Sequence, residues 1–493
     1  MSPSTSPTPT AATATDPPDP RRWRALAVLA LAQFMVVLDV TIANVALPAI
    51  QTDLGFSALD LQWVVGAYTL TFGGLLLLGG RVADLLGRRR VLGLGLVLFA
   101  IASLGAGLAW SSGSLVAFRA LQGVGAALLS PAALSIVTVT FAPGRERGIA
   151  LGVWGALAGL GGTAGVVAGG VLIDSLGWEW VFFVNVPIAL AALVAIPLTV
   201  DESRAEATTR SFDVAGAVLA TVGVSALVLG VIRSEVLGWG AAEVLVLLGG
   251  GVLLLAAFAV VETRASAPLV PPRLGRSRSL VLSTVALALN GSAFIGMFFL
   301  SALFLQGVRG ASAIETGLQF VPMGVTAVLG AVLAQSLVGR VGTRPVMALG
   351  AVIGGGSLLL LSGATGGAYA ADVLPGFALY GLAVSLVGVP AQIEAVTEVT
   401  DQDAGAASGL LSAGFQVGAA LGLAVITTLS TGRVDDLLGD GALQAVAQTA
   451  GFERGMQATA VLAVLVLAIA AVLPGRRAPA RATDGAVAVP LAH

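Results

Sequence analysis

Gly80-Arg81-Val82-Ala83-Asp84-Leu85-Leu86-Gly87-Arg88-Arg89-Arg90-Val91-Leu92 is a short charged stretch between two apolar runs. The runs on either side, 62–81 and 91–109, each have the length that crosses a bilayer, about 20 residues. The stretch therefore reads as a tight turn at a membrane surface. Gly87 can take the positive φ that such a turn needs. Asp84, four residues before Arg88, is placed to pair with it or to meet the end of a neighbouring helix. Arginines alone would make an anchor on the cytoplasmic surface, but an anchor does not ask for a carboxylate or for glycines at this spacing.

Outward from this turn the apolar runs continue. They predict fourteen spanning helices, near 25–48, 62–81, 91–109, 114–138, 148–173, 180–199, 214–232, 242–261, 280–305, 315–338, 345–364, 372–395, 405–429 and 456–474. Of the 493 residues, 57% are hydrophobic and only 11% charged, too few to coat a soluble globule, which carries about 25%. All 25 basic residues are arginine. With the amino terminus in the cytoplasm, twenty of them fall in or beside cytoplasmic segments, Arg119 lies inside the membrane, and only Arg233, Arg309, Arg433 and Arg454 lie outside. That asymmetry is the positive-inside rule, and it places both termini in the cytoplasm and the chain in the cytoplasmic (inner) membrane.

The expected organisation is a disordered tail (1–24), a six-helix bundle (25–200), a central helix pair with flanking loops (201–279), a second six-helix bundle (280–474) and a second tail (475–493). The two sixes look like copies. Gly87, Arg89, Val91 and Gly95 match Gly342, Arg344, Val346 and Gly350, and Gly148, Ala150 and Gly152 match Gly405, Ala407 and Gly409. Duplicated six-helix units are the mark of many secondary transporters, whose cargo site lies between the repeats near mid-membrane. The copies differ in charge: Asp84 matches Gly339, and Arg119 falls near Phe377.

A charge inside a bilayer needs a reason, because it costs several kcal/mol, about 3 by insertion scales. Asp39 lies fifteen residues past Arg24 in the first helix, and Arg119 lies near the start of the fourth. At 1.5 Å per residue both come out roughly 8–12 Å below the outer surface. One reading makes Asp39 a carboxylate that titrates during transport, with Arg119 setting its proton affinity. The other makes them a fixed ion pair that orients two helices.

Composition removes other chemistries. There is no lysine, hence no phosphate-binding G-x-x-x-x-G-K-[ST] loop and no ATP hydrolysis of that kind. There is no cysteine, and the one histidine is His493, which removes zinc sites, iron–sulfur clusters and Ser-His-Asp triads. No enzyme activity, metal or cofactor is expected, and a net charge of −2 argues against nucleic acid. The Gly159–Ala164 match to a dinucleotide-binding pattern lies mid-helix with no strand before it, and Asn290-Gly291-Ser292, a glycosylation pattern, is within a span.

The opening stretch matches the G-x-L-a-D-r-x-G-r-k signature of the major facilitator superfamily. Leu115 to Gly125 resembles that family's fourth-helix R-x-x-q-G motif, and Leu38-Asp39-Val40-Thr41 through Pro48 is similar to the first-helix motif of its fourteen-helix drug:proton antiporter branch. Trp178 through Phe182, Asn185 and Pro187 also fit, with Glu179 where a basic residue is common. The helix-5 motif, usually G-x-x-x-G-P-x-x-G-G, reads Gly161 to Gly170 with Val166 in the proline's place. Gly161, Gly165 and Gly169, with Gly170 beside them, keep a stripe for close helix packing, while the proline kink is lost.

The resemblance implies an all-α polytopic fold with helices arranged 6+2+6. It also implies export of amphipathic drugs or a self-made metabolite by alternating access, in exchange for protons. Asp39 would carry the proton, Arg119 would be its electrostatic partner, and Gly80, Asp84, Gly87, Arg88 and Arg89 would form a conformational latch. Polar side chains at membrane depth are the candidate cargo contacts: Gln33, Asn44, Tyr68, Gln122, Asn185, Asn290, Gln319 and Gln416, with Phe294 and Phe298 as an aromatic wall. Interhelical hydrogen bonding explains any one amide equally well. Glu394, followed by Glu398, Asp401 and Asp403, reads as part of a solvated acidic loop, or alternatively as a second titrating site. A uniporter or symporter on the same fold, and a transporter-like sensor, are the competing readings.

Overall fold

The structure is a computed structural model that describes residues 21–474 except 58, 142–144, 204–212, 266–267, 271–272, 398 and 400–403; the side chains of some helical residues, Asp84 among them, also lie outside that description. The described residues form helices and no strands. The first half is α1 (Arg21–Leu54), α2 (Trp63–Leu86), α3 (Arg88–Gly107), α4 (Ser112–Thr140), α5 (Arg145–Leu176) and the paired segments α6 (Trp180–Phe183) and α7 (Asn185–Thr199). The inserted pair is α8 (Val214–Leu237) and α9 (Ala242–Arg264). The second half is α10 (Arg278–Gly307), α11 (Ala313–Val341), α12 (Thr343–Ser362), the paired α13 (Tyr369–Asp372) and α14 (Leu374–Val396), α15 (Ala404–Gly439) and α16 (Gln444–Val472). Among the described residues twelve helices are long and apolar enough to cross a membrane. Helix α1 starts at Arg21, so the last four residues assigned to the first tail are helical; the rest of that tail and all but the start of the second lie outside the described residues.

The repeat shows in the turns. Gly87 closes α2 and opens α3 at φ 112°, and Gly342 closes α11 and opens α12 at φ 92°. A side chain would be strained at either point. Helix starts are capped by side-chain oxygens: Ser111 on α4, Asp213 on α8, Ser277 on α10 and Ser312, with Glu315 reciprocating, on α11. Each cap satisfies a backbone N–H that the helix itself leaves unbonded.

The apolar cores show how the halves meet. At the end remote from both described termini one cluster joins them: Ile42, Val64 and Phe182 from the first half pack in the same core as Phe298, Phe320 and Phe377 from the second. At the terminal end the cores divide. One holds first-half residues such as Leu29, Leu92, Phe99 and Phe141 with Ala413 from α15, and another holds only second-half residues such as Leu280, Met347 and Val387. The halves are thus sealed together at the remote end and packed separately at the terminal end.

Two hydrogen bonds and close backbone approaches contribute to the remote seal. Gln306 Nε2 of α10 donates to the Val45 carbonyl of α1 at 3.0 Å, and the Ile314 N–H at the start of α11 donates to Asp174 Oδ2 of α5 at 3.2 Å. A Cβ on Gly317 would lie 2.6 Å from the Val166 carbonyl oxygen, so α5 and α11 touch backbone to backbone there. The inserted pair is more than peripheral. Val224, Val228 and Ile232 of α8 share a core with Leu70 of α2 and with Ala420 and Ala424 of α15, so α8 lies against both halves at the α2–α15 seam.

Candidate functional site

Five elements of the first half converge on Asp39. Helices α1, α2, α4 and α7 bring Asp39, Tyr68, Arg119 with Gln122, and Asn185, all at 0% exposure, and α3 adds Ser103. Nη1 of Arg119 donates to Asp39 Oδ2 at 2.6 Å, a charge-assisted bond. The other carboxylate oxygen, Oδ1, accepts from Gln122 Nε2 at 3.0 Å and from Asn185 Nδ2 at 2.8 Å. Three donors from three positions thus hold one carboxyl group. Arg119 is held in turn: Nε donates to the Val64 carbonyl at 2.7 Å and Nη1 also to Gln122 Oε1 at 2.8 Å. Its guanidinium carbon lies 4.5 Å from the centre of the Tyr68 ring and 5.6 Å from that of Phe182, within cation–π range. Gln122 Nε2 is anchored by Ser103 Oγ at 2.7 Å.

The network is poised. Arg119 Nη2, Asn185 Oδ1 and the Tyr68 hydroxyl are buried with no hydrogen-bond partner among the described residues. Each is spare capacity that a second arrangement of the same side chains could use. Removing the charge on Asp39 would weaken the acceptor that all three donors share and leave Arg119 as a buried cation without its counter-ion.

The Asp39 and Arg119 side chains touch, as equal depth on α1 and α4 allows. Tyr68, Gln122 and Asn185, expected at a cargo cavity, instead serve the ion pair. Ser103, the Val64 carbonyl and Phe182 were not foreseen; a carbonyl carries no residue-type signal, and an isolated serine carries little.

The remaining expected residues are placed as follows. Asn44 Nδ2 donates to the Val40 carbonyl of its own helix at 2.7 Å, and Asn290 Nδ2 to the Val384 carbonyl of α14 at 3.3 Å. Gln33 and Gln319 each keep a buried side-chain oxygen without a partner among the described residues. Gln416 lies in α15 against Gly73 of α2, at the seam between halves. Phe294 packs on Phe298, which stacks on Phe320 at 4.2 Å between ring centres. The glycine stripe divides its work: Gly161, Gly165 and Gly169 lie against Val37, Thr41 and Ile42 of α1, whereas Gly170 meets Ala313 and Ile314 of α11. With Val166 in place of proline, α5 runs unbroken from Arg145 to Leu176.

At the terminal-end turn, Gly80 lies against Pro131 of α4. A carboxylate that the sequence did not single out, Glu202, sits beneath Gly87. Its Oε1 accepts from the Arg89 N–H at 3.1 Å, and its Oε2 lies 3.5 Å from Arg90 Nε. A Cβ at Gly87 would lie 2.7 Å from Glu202 Oε1. The Arg88 N–H donates to the Ser203 carbonyl at 3.0 Å and Arg89 Nη1 to the Val200 carbonyl at 3.2 Å, so these contacts stay within the first half. The pairing expected of Asp84 lies outside the described residues. Glu394 corrects its expected place in a solvated loop: it is 0% exposed and accepts from Ser279 Oγ at 3.2 Å and Thr343 Oγ1 at 2.6 Å, in the first turns of α10 and α12. Packing of three helix ends, which the sequence does not display, buries it.

Comparison with known proteins gives a consistent answer. The family model described as Major Facilitator Superfamily matches residues 29–423. A puromycin resistance protein of Streptomyces alboniger is 42% identical over 92% of this chain and 91% of its own length. A cephamycin export protein of Amycolatopsis lactamdurans is 41% identical over 94% of both chains. A tetracenomycin C resistance and export protein of Streptomyces glaucescens is 36% identical over 93% of this chain and 85% of its own. Among solved structures, a bacterial homologue of the human lysosomal transporter Spinster superposes with a TM-score of 0.66 at 18% identity, covering 92% of this chain and 97% of that one. The peptide-transporter-family protein PepTSo gives 0.66 at 16% identity over 92% and 99%.

Proposed function

The chain belongs to the major facilitator superfamily and is a multi-pass membrane transporter, and on that premise we propose that it exports amphipathic antibiotics or a related metabolite in exchange for protons. The single observation that carries the coupling is the buried Asp39–Arg119 pair, with Gln122 and Asn185 on the same carboxylate. Relatives named for antibiotic resistance and export support the cargo class. The scarcity of buried fixed charge among the described residues suits amphipathic molecules better than sugars.

In this reading α2 and α5 join the twelve apolar helices to make fourteen spans in a 6+2+6 order. Arginine placement puts both termini in the cytoplasm of a cell bounded by its inner membrane. The separately packed terminal end is then the cytoplasmic mouth, and the sealed remote end faces outward. A proton reaching Asp39 discharges it, Arg119 loses its counter-ion, and rearrangement about the pair favours rocking of one half against the other. Cargo binding between the halves and proton release to the cytoplasm complete the exchange. Uniport and sensing do not call for a proton-binding carboxylate, and the relatives named for export favour antiport over symport.

Asp39→Asn separates these readings. In vesicles with an imposed pH gradient, efflux against a concentration gradient is expected to fall by about a hundredfold or more, while counterflow of labelled cargo persists. Undiminished uphill efflux by the Asn variant would refute proton coupling through Asp39.

A further inference from the structure

Two carboxyl groups at the base of the inserted helix pair have no part in the site above. Asp213 caps α8, its Oδ1 accepting from the Gly216 N–H at 2.7 Å. Glu262, in the last turn of α9, accepts from the Leu269 N–H at 3.3 Å and the Val270 N–H at 2.9 Å. Their exposures are 7% and 6%. The two carboxyl groups face each other beside Gly216, and Asp213 Oδ2 is buried and receives no bond from any N–H or O–H donor among the described residues. Ionised carboxylates only accept, so the contact between them needs a proton on one. Gly216 leaves the room for it: a Cβ there would lie 2.5 Å from Asp213 Oδ2 and 3.0 Å from Glu262 Oε1.

The groups that face this pair are Gly216 of α8 and the backbone of Leu269 and Val270 in the segment leading to α10. The charged group acting on Glu262 is Asp213 itself. The nearby arginines of α9, the connecting segment and α10, namely Arg264, Arg273, Arg276 and Arg278, are exposed. Two like charges in so dry a place cannot both persist.

We propose that Asp213 and Glu262 share one proton and form a proton-sensing clasp that seats α8 against the seam between the halves. Glu262 fastens the segment that enters the second half, Asp213 fixes the start of α8, and α8 supplies the buried residues of the inserted pair to the core shared with α2 and α15, with Leu255 of α9 packed against it. With the proton in place, the clasp is closed. Its loss leaves two adjacent anions, which part and release the Leu269 and Val270 N–H groups. The stabilisation is therefore complete at low pH and is lost as pH rises through the pair's last titration. None of this depends on proton exchange at Asp39.

Hydrogen–deuterium exchange on the full chain in lipid nanodiscs tests it without any transport assay. Peptides covering 265–277 are followed from about pH 5.5 to about pH 8.5, after correction for intrinsic exchange. In wild-type protein, protection at Leu269 and Val270 is expected to fall by about tenfold or more. Asp213→Asn supplies a permanent N–H where the shared proton was and caps the helix equally well, so its protection should stay high throughout. Glu262→Gln should show no transition in this range, at a lower and constant protection. Flat protection in wild type would overturn the clasp, and so would a wild-type transition persisting in either variant.

Discussion

The two halves repeat one plan, but they fill corresponding parts of the interior with opposite chemistry. Where the first half sets Arg119 against Asp39 at 2.6 Å, the second has Phe377, stacked on Phe320 with ring centres 4.8 Å apart, and Phe320 on Phe298 at 4.2 Å. Both arrangements tie several helices together, yet they answer to different things. Stacked rings interact by dispersion and quadrupoles, which do not change with protonation. A buried ion pair changes sign of effect as soon as one partner is discharged. In the proposed exchange the first half would respond to protonation and the second would serve as the reference, so a duplicated fold needs the costly element only once.

The largest expected effect comes from breaking the responsive half. Arg119→Ala strands a buried carboxylate and should destabilise the protein by about 3–5 kcal/mol, read as loss of folded yield and of Tm in detergent. Adding Asp39→Asn should restore most of that loss, because no orphan charge remains. Equal instability of the single and double variants would mean that packing, not charge, links α1 to α4. Asn185→Ala removes one hydrogen bond to the carboxylate, at a cost of about 2 kcal/mol, and should also shift the pH dependence of efflux.

Phe320→Ala breaks the reference half. Lipid tails are as apolar as a phenyl ring, so little transfer energy is at stake and mainly packing is lost; about 1 kcal/mol is expected. Its pH profile of efflux should overlay that of wild type. A displaced profile would show that the aromatic half takes part in the proton response. The smallest effect belongs to the seal. Asp174→Asn removes the charge facing the N-terminus of α11, worth about 0.5 kcal/mol, and should raise the population open at the remote end about twofold. Distances between spin labels on α5 and α11 would record it.

Much of this comparison was legible before any coordinates. Helices rise uniformly, so residue counts placed Asp39 and Arg119 at equal depth, and turn glycines announced the repeat at Gly87 and Gly342. What stayed hidden was azimuth. A membrane helix carries apolar residues all round, and periodicity does not say which way an amide points. Gln122 and Asn185 were therefore grouped with cargo contacts, although they face the carboxylate. Glu394 looked solvated because acidic residues follow it in sequence, while its burial depends on the ends of α10 and α12. Glu202 carries no motif at all, and only the close fit beneath Gly87 reveals its part. The seat of α8 against both halves depends on long-range packing that local composition does not encode.

The stacking of Arg119 over Tyr68 has an optical consequence. The chain has three tyrosines: Tyr68 lies 4.5 Å beneath the guanidinium in the first half, and Tyr369 and Tyr380 belong to the second. When Asp39 gains or loses its charge, the electric field across the Tyr68 ring changes, while the other two rings stay outside the ion pair. In infrared difference spectra of ring-labelled protein, one tyrosine band in three should move with the charge on Asp39. Tyr68 is thus a voltmeter beside the ion pair, with two stationary rings as the zero.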